Sequence, residues 1–270
     1  MIKQDYSDVT IILQGLLHPE VDLIKTVKHY VNLGFKVVVS IYRRDYASVK
    51  ELEQIKNVSV CLNNLIDYEK ELDHIKSFFP PPLREELSLK KEKRNRFFQY
   101  KTTYAALKEV KTKYFIKSRV DSYFEKINVV ADYGIELQKP VSISLFVRGM
   151  SFGIFKMRFH LSDICFFGET KKFMSVYKNL TDVFNPIIPE ANLWGTYIKI
   201  NYSMNDKFLN QMSNEKYLNF MCENFYVVPL DYLYPYKIKF GKIVLKELTN
   251  DIKTTKEYLI NGCDQKNGWF

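Results

Sequence analysis

Lys117, Arg119 and Asp121 stand two residues apart in the segment Lys113-Tyr114-Phe115-Ile116-Lys117-Ser118-Arg119-Val120-Asp121-Ser122. Side chains of an extended chain repeat with period two, so all three would share one face. The apolar run Tyr114 to Ile116, flanked by polar residues, reads as a buried strand whose polar end leaves the sheet. Open α/β sheets take ligands just beyond the carboxyl ends of their strands. A carboxylate there can hold Mn2+ or Mg2+, and the ion can hold a diphosphate. Cationic side chains neutralise the developing charge of a leaving diphosphate in a similar way. Asp121 is thus the candidate metal carboxylate, and Arg119 and Lys117 are candidate phosphate contacts. A surface ion pair at a strand end uses the same triplet, and spacing alone does not choose between the two.

Further candidates lie elsewhere. Gln14-Gly15 follows the apolar run Val9 to Leu13, where a glycine would permit close backbone approach of a nucleotide or would serve an ordinary turn. Ser40 ends a second apolar run and would face the same edge. Gln99 lies one turn beyond Asn95 on a helical pattern, and either would reach a donor site if that helix packs along the sheet. The basic run Lys90 to Arg96 is a solvated helix face or a collar for an anionic ligand. Glu190, in Pro189-Glu190-Ala191-Asn192-Leu193-Trp194, opens a helix, where the helix dipole stabilises a carboxylate. It is also the preferred candidate for a general base toward an acceptor hydroxyl, with Asp163 second. His160 lies three residues before Asp163.

The elements that must position these residues read as α/β. Strands are predicted over Val9 to Leu13, Phe35 to Ile41 and Val58 to Leu62, with helices from Pro19 to Gly34 and Ala47 to Ile55 between them. That alternation signals a parallel sheet with helical crossovers. Residues 63 to 88 read as less regular, with a stiff turn at Pro80-Pro81-Pro82. A long helix over Leu89 to Val110 leads into the strand that ends near Asp121, and a helix over Phe124 to Tyr133 follows. Short strands are expected at Val141 to Phe146, Ile164 to Phe167 and Tyr226 to Leu230, with a loop at Arg148 to Gly153. Helices are expected at Thr170 to Leu180, Glu190 to Ile200 and Asn205 to Asn224. Residues 1–230 read as one catalytic domain, with a nucleotide-binding half to about residue 125, an acceptor-side half after it and a basic, aromatic extension over 231–270.

The chain has 270 residues, enough for one large domain with a substantial core. A net charge of +9 favours phosphate-rich partners, an anionic membrane surface or a lipid-phosphate carrier. No nucleic-acid motif is present, so nucleic acid is not an expected partner. The 19 Tyr and 20 Phe can fill a core or line an acceptor groove. Cys61, Cys165, Cys222 and Cys263 form no metal-ligand spacing. No run of about 18 apolar residues is available to span a bilayer. The expectation is a reduced, cytoplasmic protein, peripheral at the inner face of the membrane.

Taken in order, Gln14-Gly15, Ser40, Gln99 with Thr102, Lys111 to Asp121, Phe159-His160-x-Ser162-Asp163-Ile164-x-Phe166-Phe167-Gly168 and Pro189-Glu190-x-x-Leu193-Trp194 resemble the WavE family of lipopolysaccharide-synthesis proteins. The resemblance implies a GT-A-type glycosyltransferase with a Rossmann-type, mostly parallel sheet and a smaller acceptor-side region. It further implies a nucleoside diphosphate sugar donor, uridine-linked, an acceptor on a growing surface glycan or glycolipid, and Mn2+ or Mg2+ at the diphosphate. Donor contacts would fall on Gln14, Gly15, Ser40, Gln99, Lys117, Arg119 and Asp121. Two departures stand out. Arg119-Val120-Asp121 replaces the usual Asp-x-Asp, and Ala191 stands where a second acid would follow Glu190. Phe97-Phe98 also occupy the place of an expected Asn-Arg before Gln99, so Arg96 has no family counterpart. A nucleotidyltransferase shares the architecture but would need a glycine-rich basic loop after strand one, and none is seen. A non-catalytic module of a polysaccharide assembly complex is the third reading.

Overall fold

The structure, a computed structural model, describes residues 5–18, 21–78, 81, 91–144, 158–180, 189–238 and 254–257. The expected α/β class is present. Seven strands form one sheet in the order β3-β2-β1-β4-β7-β6-β8: β1 (Val9–Gln14), β2 (Lys36–Tyr42), β3 (Val58–Asn63), β4 (Tyr114–Arg119), β6 (Val141–Ile143), β7 (Phe166–Glu169) and β8 (Tyr226–Val228). The pairs β1–β2, β1–β4, β2–β3 and β6–β8 run parallel, while β7 runs antiparallel to both neighbours. A small second sheet pairs β5 (Ser122–Phe124) with β9 (Tyr236–Ile238).

Helices cover both faces, which is why the central strands are apolar on both sides. Val9, Ile11 and Leu13 of β1 point into a core shared with α1 (Leu23–Asn32) and with Val130 and Ala131 of α4 (Asn128–Leu137). Ile12, Val38 and Phe115 point the other way, toward α3 (Lys91–Glu109), α5 (Thr170–Asn179), α6 (Pro189–Asn201) and α8 (Asn214–Asn224). Much of the aromatic content is spent there: Phe166, Phe173, Trp194, Tyr197 and Phe225 pack edge-on and tilted against one another. A third, smaller cluster joins Tyr42 to Leu72 of α2 (Leu65–Ser77) and to Phe97 and Phe98 of α3.

Several boundaries differ from expectation for local reasons. Ala47 to Ile55 is not an α-helix but two 3-10 turns, Arg43–Ser48 and Lys50–Gln54, joined at Val49 with φ −134° and ψ 3°. Residues 65–77, expected to be less regular, form α2, capped by the Asn64 side chain accepting from the Ile66 N–H. Leu72 alone of that helix is buried, so no strong apolar stripe marked it. The helix expected from Phe124 starts at Asn128, because Ser122–Phe124 pairs as a strand. The segment Asn205 to Asn224 divides into α7 (Asp206–Gln211) and α8, the second capped by Ser213. Gly34 closes α1 as expected, with φ +103°. Leu233 and Ile238, in the expected C-terminal extension, are part of the α1-side core. The Arg148 to Gly153 loop, Pro80 and Pro82 lie outside the described residues.

Gly134 marks a close helix–sheet approach. A Cβ at this position would overlap the ring of buried Phe167 on β7, itself stacked on Tyr114. In an open helix Gly→Ala would stabilise by about 1 kcal/mol. Here overpacking reverses the sign, and Gly134→Ala is expected to lose about 1–3 kcal/mol in a urea titration.

Candidate functional site

The parallel register aligns the strand ends. Gln14 of β1 pairs level with Ser40 of β2 and Arg119 of β4, and Ser40 level with Cys61 of β3. By strand parity Gln14, Ser40, Lys117 and Arg119 share the α3 face with Ile12 and Phe115. Beyond this edge lies a cavity of about 380 Å³, within the usual range for a small-molecule site. Gln14, Gly15, Gln99 and Arg119, four of the residues expected to contact a donor, line it together with Asn95. The rest of the lining is Leu16, Tyr42, Leu65, Phe98 and Arg44. Among the described lining residues there are two arginines and no carboxylate. Gly15 turns the chain here with φ +127°, a conformation that side-chain-bearing residues rarely adopt.

A chain of hydrogen bonds fixes α3 across the strand ends. Thr102 Oγ1 donates to Gln14 Oε1 at 2.9 Å, and Ser40 Oγ donates to the Thr102 carbonyl at 2.8 Å. Asn63 Nδ2 donates to Ser40 Oγ at 2.9 Å, and Tyr68 OH donates to Asn63 Oδ1 at 2.7 Å. Ser40 is fully buried and does not line the cavity; its hydroxyl binds the helix to the sheet. With its oxygen accepting from Thr102, the Gln14 amide keeps its NH2 as the donor end.

The charged candidates gather in a second layer. Lys117 is wholly buried, and its Nζ donates to the Asp163 carbonyl and lies 3.8 Å from Asp163 Oδ2. Gln99 Nε2 donates to the same Oδ2. Burial pushes the Lys117 ammonium below its ordinary pKa, against the pull of Asp163. Arg119 Nε donates to Asp121 Oδ1 at 2.7 Å, and its Nη2 donates to Oδ2 at 2.5 Å. Burial works against this guanidinium charge, but the Asp121 hydrogen bonds and charge outweigh it, and the pKa ends above the arginine norm. Glu190 opens α6 as expected, with Oε2 at 3.7 Å from His160 Nε2. Buried Tyr100 joins the groups: desolvation raises its pKa, Asn192 hydrogen-bonds it, and it feels Arg96, Asp163 and Glu190. The two candidate bases therefore share one neighbourhood.

Asp121, Asp163, Lys117 and Glu190 do not line the cavity. The expected divalent ion on Asp121 does not fit the arrangement of the described residues. Both Asp121 oxygens accept from Arg119, and among the described residues no group of three His, Cys, Asp or Glu side chains gathers to hold a metal. Tyr42 and Arg44 were missed in the sequence, although Tyr42 stands two residues after Ser40 and shares its face. Leu65 was missed with its helix.

No protein-family model matches the chain, and no curated protein does, so the WavE resemblance stands on its motifs alone. Among solved structures the chain is similar to 4-diphosphocytidyl-2C-methyl-D-erythritol synthase from Anaerococcus prevotii, at 12% identity and a TM-score of 0.44, over 83% of this chain and 90% of that one. It is also similar to the apo-form glycosyltransferase GlyE of Streptococcus pneumoniae, at 9% identity and a TM-score of 0.41, over 88% of this chain and 55% of that one. Neither likeness assigns an activity at these values.

The Lys117–Asp163 contact makes a stability prediction. Removing one partner of a buried pair leaves the other charge uncompensated, so Lys117→Met is expected to cost about 3–5 kcal/mol in chemical denaturation. Adding Asp163→Asn to the same chain is expected to recover part of that loss. Strictly additive losses would contradict the coupling.

Proposed function

We propose that this chain is a glycosyltransferase that moves a sugar from a nucleoside diphosphate sugar, uridine-linked, to a surface glycan or glycolipid acceptor, with inversion at the anomeric carbon. The observation that carries the reading is the cavity at the carboxyl ends of β1, β2 and β4, where Arg119, Arg44 and the amides of Gln14, Gln99 and Asn95 meet apolar Tyr42, Leu65 and Phe98. Cations and amides suit a diphosphate, and flat or branched apolar side chains suit a nucleoside. Gly15 lets the phosphates approach the backbone. A surface glycan acceptor follows from the WavE resemblance, and an anionic membrane surface from the +9 charge. Among the described residues no helix is long and apolar enough to cross a membrane.

In this reaction an acceptor oxygen attacks the anomeric carbon while the bond from that carbon to the diphosphate oxygen breaks. The nucleoside diphosphate leaves, and the acceptor proton passes to a carboxylate. Glu190 is the better placed base. Its side chain is 20% exposed, whereas the Asp163 side chain is 10% exposed, accepts from Gln99 and lies 3.8 Å from the Lys117 ammonium. Asp163 and Lys117 are then positioning residues that hold Gln99 at the cavity wall.

Product analysis with a panel of nucleotide sugars and a glycolipid acceptor tests this reading. The expected product is a nucleoside diphosphate with a transferred sugar. Release of pyrophosphate instead would identify nucleotidyl transfer, and no turnover of any donor would favour a non-catalytic module. Glu190→Gln is expected to lower kcat by about 100- to 10,000-fold with little change in donor KM. Asp163→Asn is expected to raise donor KM instead. A Glu190→Gln enzyme with full kcat would remove Glu190 from the chemistry.

A further inference from the structure

Arg119 occupies the coordination that a metal would need. A Mn2+ or Mg2+ ion on Asp121 would require carboxylate lone pairs that already accept two charge-assisted hydrogen bonds from one guanidinium. To enter, the ion would have to break a pair whose aspartate side chain is 10% exposed, leaving a cation beside a cation. The carboxylate of Asp163, the next buried one, accepts from Gln99 and lies 3.8 Å from the Lys117 ammonium. Arg119, by contrast, lines the cavity while Asp121 does not. Its planar fork matches phosphate as well as carboxylate. Val120, between the two, is buried in the opposite core, so the local chain holds Arg119 and Asp121 on a common side.

We infer that the donor's diphosphate is neutralised by the Arg119 guanidinium, held in place by Asp121, and not by a divalent ion on Asp121. This rests on the reading of the cavity as a nucleoside diphosphate site. Asp121 becomes a positioning residue, and its negative charge works against the phosphates. Metal dependence, expected from the resemblance, is replaced by dependence on one arginine.

Isothermal titration of the full chain with UDP, and with CDP and GDP beside it, in EDTA and then in Mn2+, separates the possibilities. One nucleoside diphosphate is expected to bind with affinities in the two conditions that agree within about twofold. Arg119→Ala is expected to weaken binding in EDTA by at least about tenfold. Asp121→Asn removes the charge and, because an amide has a single acceptor oxygen, one of the two hydrogen bonds to Arg119, and is expected to change binding in EDTA far less than Arg119→Ala does. Circular dichroism and melting check that both variants fold. Binding seen only with Mn2+ and lost in Asp121→Asn would overturn the inference while leaving the donor site intact. Wild-type affinity in Arg119→Ala would overturn it as well. No binding of any nucleoside diphosphate in either condition would overturn the donor-site reading, and this inference with it.

Discussion

The parallel register of β1 with β2 and β4 is the constraint on which the site depends. It brings Gln14, Ser40 and Arg119 level at one sheet edge, although they are distant in sequence. Strand parity then turns all three toward α3. A slip of one residue would reverse every side chain and send Arg119 into the apolar α1-side core. That slip would also carry Gln14 and the buried Lys117, both hydrogen-bonded on the α3 side, into the same apolar core.

Given that edge, the polar interactions divide into two tasks. The Thr102–Ser40–Asn63–Tyr68 chain attaches α3 and α2 to the strand ends and closes one wall of the cavity. The charged groups form a second set, Arg119 at the cavity and the others behind it, where Lys117 with Asp163 and Arg119 with Asp121 each set a buried charge beside an opposite one. Neither pair is an economical way to stabilise a fold, since apolar residues of similar volume often do as well or better. Their location at the ligand-binding edge of an α/β sheet is what gives them a functional meaning.

Much of this was legible from residue types. The strand–helix alternation, the strand ending at Arg119 and the turn at Gly15 follow from apolar runs and glycine placement, and the structure brings Gln14, Gly15, Gln99 and Arg119 to one cavity. Less visible were features that depend on tertiary packing. Helix α2 has one buried residue and so little periodic signal, and with it went Leu65 as a lining residue. The tightening of residues 43–54 into 3-10 turns reflects a short crossover, not propensity. The Arg119–Asp121 pair was seen as a spacing, but spacing could not say whether Asp121 would turn to a metal or to its own neighbour. The structure turns it to the neighbour.

The most direct measurement is a crystal structure of the chain with a bound nucleoside diphosphate, UDP first. The account predicts phosphate oxygens within hydrogen-bonding distance of the Arg119 guanidinium, the chain at Gly15 against the diphosphate, and the base among Tyr42, Leu65 and Phe98. Nucleotide density at another surface, with the cavity at the ends of β1, β2 and β4 holding only solvent, would contradict it.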